Sequence, residues 1–162
     1  MRDNSARAAA VALLLLSCQR ATEVRGSEEL ADSDGALITV AGQKAVVFAA
    51  GGGTCDRLRE GPLRESALVL KLPEGPPGSY PVPAVDANTS ERVAGAYLRK
   101  PQSEPACVSD ILLASDGTLA LTEVTPDRAR GSFDLWFGAN RHYSGQFDVR
   151  RCAIPAGVEP CY

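Results

Sequence analysis

The sequence predicts an all-β fold, an antiparallel β-sandwich-like domain ending in a three-strand meander and preceded by a signal peptide and a flexible tether. Three observations point there. Short runs rich in β-branched and apolar residues are separated by glycine, proline and asparagine. The last third holds three runs in which large apolar side chains recur with period two. Four cysteines beyond Cys18 suit a disulfide-stapled exported domain.

The chain opens with Arg2 and Arg7, then an apolar run over 8–16 that is too short to span a bilayer. A charged head, an apolar middle and a small residue before a cut site predict a secretory signal over 1–17. Its end, Leu15-Leu16-Ser17-Cys18, resembles the lipobox of bacterial lipoproteins processed by signal peptidase II. That resemblance implies cleavage before Cys18, a diacylglycerol on its sulfur and an acyl chain, such as palmitate, on its new amine. Each buried methylene contributes about 0.8 kcal/mol, and stable anchoring takes more than one chain, so triacylated Cys18 would hold the protein to membrane lipid. Gln19 stands where the family places aspartate to retain lipoproteins at the inner membrane. The resemblance therefore implies the cell envelope, at the outer membrane.

Composition narrows the function. The chain carries 17 basic and 20 acidic residues, a formal net charge of -3; removing Arg2, Arg7 and Asp3 with the signal makes the remainder one unit more negative. No basic footprint suggests nucleic acid as a partner. After Cys18, the cysteines are Cys55, Cys107, Cys152 and Cys161. Four cysteines allow three pairings. The local closure of Cys152 with Cys161, which leaves Cys55 with Cys107, is the expectation. A metal site competes poorly, because there is no C-x-x-C pair and His142 is the single histidine. No cofactor is expected.

Residues 18–35 are polar and acidic and predict a solvated tether from the lipidated cysteine. Asp32-Ser33-Asp34-Gly35 looks like part of a calcium loop but lacks the later ligands. The domain is expected over 36–162. Ala36–Val40 and 44–49 read as a hairpin through Ala41-Gly42-Gln43, and Gly51-Gly52-Gly53 as a flexible loop without phosphate-binding partners. One helical turn follows over 55–60. Residues 66–72 form a strand with Leu68, Leu70 and Leu72 on its buried face. The proline-rich 73–83 is an irregular crossing, and 93–98 is a further strand stopped by Pro101 and Pro105.

The meander comes last. Leu119 and Leu121 share one face of its first strand, Phe133, Leu135 and Phe137 one face of the second, and Tyr143, Phe147 and Val149 one face of the third. A turn at Thr125-Pro126-Asp127 sets Leu119 opposite Phe133 and Leu121 opposite Gly131. A loop Ala139-Asn140-Arg141 sets Phe137 opposite Tyr143, Leu135 opposite Gly145 and Phe133 opposite Phe147. The repeated Gly131-Ser132-Phe133 and Gly145-Gln146-Phe147 follow from two adjacent strands obeying one pattern. With Gly78-Ser79-Tyr80, Gly117-Thr118-Leu119 and Cys152, these segments resemble a loose group of bacterial lipoproteins in which a four-cysteine β domain follows the lipobox. The resemblance implies a β-sandwich and supplies no activity.

Two functional readings remain. Trp136 points away from the Phe133 face. It is core if a second layer covers that side, and otherwise a platform for a sugar or a partner beside Asp134, His142, Gln146 and Arg141. Alternatively, Asp134 and Asp148, diagonal under this register and about 7–8 Å apart, are the carboxylate pair of a small glycoside-directed hydrolase, though Arg130 and Arg150 stand ready to neutralise them. The leading expectation is not an enzyme but a membrane-anchored envelope lipoprotein with a binding or structural role, its partner an envelope protein or a carbohydrate.

Overall fold

The computed structural model describes residues 22–82, 94–101 and 109–155. Cys18, Cys107 and Cys161 lie outside them. Two five-stranded antiparallel sheets pack face to face. Strands are β1 (Glu23–Arg25), β2 (Ala36–Val40), β3 (Gln43–Ala49), β4 (Ala67–Lys71), β5 (Gly78–Pro81), β6 (Gly95–Pro101), β7 (Ser109–Leu113), β8 (Asp116–Val124), β9 (Arg128–Phe137) and β10 (Arg141–Arg150), with one helix, α1 (Thr54–Glu60). The first sheet has the order β1-β10-β9-β8-β5 and the second β2-β3-β4-β6-β7. The all-β sandwich-like fold is as the sequence predicts.

Residues 22–35 depart from the tether reading. Val24 and Leu30 are buried in the core, and β1 pairs with β10. Asp34 is the hydrogen-bond acceptor for the backbone N–H of Thr54, and Thr54 Oγ1 accepts from Ala49 N and lies near Ser33 Oγ. The Asp32–Gly35 stretch thus satisfies orphan donors at the start of α1, where Gly53 offers no side-chain cap. Gly51, Gly52 and Gly53 lead into that helix at φ of 80, 73 and 64, a left-handed run that side chains disfavour.

The central strands of the second sheet, β3 and β4, are buried on both faces. Leu37, Val46, Phe48, Leu68, Leu70 and Leu98 face the first sheet. On the other side Ile38, Val47 and Val69 pack beneath Leu58 of α1, Leu63 and Cys152. So β4 is not the one-sided strand expected, because α1 and the chain after β10 cover Ala67 and Val69. Buried Arg99 closes one end of this layer, donating to the Leu63 carbonyl, and burial pulls its guanidinium pKa down.

The expected crossing at 73–83 contains β5, an edge strand that sets Tyr80 opposite Leu119. Pro81 is tolerated there because an edge need not donate to a neighbour. The strand β7 has no counterpart in the sequence reading. Its Ile111, Leu112 and Leu113 are exposed, and such an apolar run at an edge carries no periodic signal.

The meander forms as expected between β8 and β9, where Leu119 faces Phe133 and Leu121 faces Gly131. The β9–β10 register is two residues tighter than expected. Phe137 pairs with Arg141, Leu135 with Tyr143, Phe133 with Gly145 and Gly131 with Phe147. Gly138, at φ 66, lets the chain turn immediately after Phe137. Each phenylalanine ring then lies over the glycine across from it. A Cβ on Gly145 would stand 2.8 Å from Phe133 Cζ and 2.1 Å from the Glu23 carbonyl oxygen, and one on Gly131 would stand 2.9 Å from Phe147 Cζ. The repeat is therefore an antiparallel, self-complementary pair in which rings cover bare backbone.

The cysteine pairing also differs from the local closure expected. Cys55 on α1 bonds Cys152, with Cα atoms 5.5 Å apart. Cys152 N donates to the Leu37 carbonyl, which lays the segment after β10 along β2 and brings the two sulfurs together.

Candidate open-face binding site

The outer face of the first sheet is not covered by any described element. Along β9 it presents Arg128, Arg130, Ser132, Asp134 and Trp136, and along β10 their partners Arg150, Asp148, Gln146, Ser144 and His142. Alternation with period two puts all of them on the side opposite Phe133 and Phe147.

Trp136 is 41% exposed, which settles it as a surface residue and not core. It is the direct cross-strand partner of His142, and the two rings stack with centroids 4.5 Å apart and planes inclined by 29°. The imidazole in turn bonds Asp134, Nε2 to Oδ1 at 3.0 Å. A carboxylate only accepts, so Nε2 is the donor. The Trp136 carbonyl accepts from both N and Oγ of Ser115, pinning the strand beneath the indole. The outcome is an aromatic ring held on one side by a ring that is itself oriented.

Trp136, His142 and Asp134 therefore come together as expected. Gln146 shares their face but lies opposite Ser132, about 13 Å along the strand from His142. Arg141 does not join them. Opposite Phe137, it turns to the other side and lines a groove of about 490 Å³ with Leu98, Lys100, Asp110, Leu112 and Phe137.

Asp148 is held very differently from Asp134. Arg128 grips both of its oxygens, at 2.7 and 2.6 Å, and Arg130 adds a third bond at 2.9 Å. The sequence reading assigned this role to Arg130 and Arg150; the tighter register brings Arg128 in. The Arg128 hydrogen bonds hold the Asp148 carboxyl below the usual carboxylate range, against the opposing pull of desolvation, and Arg130 adds to the effect. A carboxylate so bound is a poor general acid. Moreover, Asp134 pairs with Ser144, so Asp148 lies about 13 Å further along the face. Retaining hydrolases need about 5–5.5 Å between carboxyl groups and inverting ones about 6.5–9.5 Å. The diagonal contact expected of this pair is absent, and the hydrolase reading loses its geometry.

No family model matches the chain, and no curated protein and no solved structure is similar to it at a significant level.

Proposed function

We propose that this chain is a lipid-anchored protein of the cell envelope, held at the outer membrane by acylated Cys18, whose β-sandwich binds a carbohydrate without transforming it. One observation carries the ligand class: Trp136, exposed and backed by His142, on an open polar sheet face. An indole presents an apolar plane to the C–H face of a sugar ring, Asp134 and Ser144 offer hydrogen-bonding groups in the next row, and Ser132 and Gln146 follow further along the face. Orientation of the indole before binding lowers the ordering cost.

Two measurements test this. The full chain, extracted from native membranes, should have an intact mass beginning at triacylated Cys18; a mass without acyl chains removes the anchor. Screened against immobilised polysaccharides, the chain should bind, and Trp136→Ala should weaken that binding about tenfold or more. Its Tm should stay within about 2 °C, since surface substitutions rarely change stability much. Undiminished binding by the variant rules out this site. Failure of the folded wild type to bind any polysaccharide, with a protein crosslinked at β7 instead, rules out the carbohydrate.

A further inference from the structure

The indole of Trp136 has one face left for a ligand. His142, its cross-strand partner on β10, stacks on the other with ring centroids 4.5 Å apart. The open face therefore looks across the sheet toward β8, where the direct partner of Trp136 is Asp116. Residues opposed in this way have Cβ atoms about 4.5–5.5 Å apart, so the Asp116 carboxylate stands beside whatever lies on the indole.

Asp116 is exposed, and its orientation is fixed. Its Oδ1 accepts from the Gly117 N–H at 2.7 Å. Gly117 lies at φ 147, so close to β9 that a Cβ there would stand 2.3 Å from the Asp134 carbonyl oxygen. No cation among the described residues pairs with the Asp116 carboxylate. The other charges of this face are matched elsewhere. Arg25, on β1 opposite Ser144, pairs with Glu23 on the far side of β10, and Arg128 and Arg130 hold Asp148 at the opposite end of the strands. Asp134, diagonal to Asp116, accepts from His142. That pair carries no net positive charge whether the imidazole is neutral or protonated. The open indole face is thus bordered by one unneutralised carboxylate, with the Thr118 hydroxyl in the next row of β8.

Such a setting attracts a cation in two ways, through the quadrupole of the ring and through charge-assisted hydrogen bonds to the carboxylate. We infer that the sugar held by Trp136 is an amino sugar with a free, protonated amine, its ring on the open indole face and its ammonium donating to Asp116. This inference rests on the carbohydrate reading above and adds the charge of the ligand and the residue that selects it.

The full chain with its disulfide intact is titrated with three oligosaccharides of equal length that share one backbone and differ in one substituent: chitosan with a free amine, chitin with an acetylated amine and cellulose with a hydroxyl. The pH is held low enough for the chitosan amine to carry its proton. Chitosan should bind about tenfold more tightly than the other two. Asp116→Asn keeps an acceptor for the Gly117 N–H and removes the charge, so it should abolish that preference and change chitin and cellulose binding less than about twofold. Glu123→Gln removes the same charge beside Arg130, remote from the indole, and should leave the preference intact. Trp136→Ala should weaken binding of all three. Equal affinity for the three glycans, tighter binding of chitin or cellulose, or a preference that survives Asp116→Asn overturns the inference and leaves the carbohydrate site standing. Loss of the preference in Glu123→Gln, or binding of oligolysine as tight as that of chitosan, also overturns it, because net charge would then suffice. Failure of all three glycans to bind overturns it as well, and the carbohydrate reading falls with it only if the wider polysaccharide screen is also negative.

Discussion

Reduction of the Cys55–Cys152 bond should lower the stability of the domain by about 3–5 kcal/mol, a large share of the roughly 5–15 kcal/mol available to an ordinary domain. The bond joins residues separated by 97 positions, so it removes much freedom from the unfolded chain. In the folded state it clamps α1 to the segment after β10, and together these cover the outer side of the second sheet over Ile38, Val47 and Val69. Loosening the clamp exposes that layer as well. Denaturant titration with and without reductant measures the loss, which corresponds to a fall in Tm of roughly 10–20 °C. The double replacement of Cys55 and Cys152 by serine should reproduce the reduced wild type. A loss below about 1 kcal/mol would show that the cover stays in place without the bond.

Phe48→Ala should cost about 3–5 kcal/mol. Phe48 is fully buried on β3, and its ring meets Phe133 at 5.7 Å and Phe147 at 6.2 Å across the interface between the sheets. It also touches the site where a side chain on Gly35 would stand, 3.0 Å from Cε1. Truncation therefore opens a cavity beneath both glycine-covering rings, where the sheet backbones are bare and cannot collapse to fill it. Phe48→Leu, which retains most of the volume, should cost less than about 1.5 kcal/mol. Equilibrium unfolding of the two variants checks the ordering; equal losses would mean that retained volume does not substitute for the ring contacts.

The open face gives these stability effects a functional counterpart. Trp136 lies on the side of β9 away from Phe48, so its substitution should leave the core intact and read out binding alone. Asp148 is the exception on that face. Its depressed carboxyl pKa stabilises the fold above the ordinary carboxylate range, and that contribution disappears as pH falls through the lowered value.

Much of this arrangement is legible in the residues alone. Apolar alternation identifies the faces of β8, β9 and β10, and the turn at Thr125-Pro126-Asp127 identifies the β8–β9 register. The position of Trp136 opposite the Phe133 side follows from the same period. Alternation is blind, however, to a slip of two residues, which returns every side chain to its own face. Only packing distinguishes the alternatives, and Phe133 over Gly145 and Phe147 over Gly131 choose the tighter one. That slip moves Asp148 away from Asp134 and gives it Arg128. Cysteine spacing likewise cannot tell which distant segments meet, and the path of the chain along β2 pairs Cys152 with Cys55. The β4 side chains hold no record of the α1 layer above them, and those of β9 none of the open space above Trp136. Whether a face is covered depends on remote parts of the chain, because burial belongs to the assembled layers and not to any one strand.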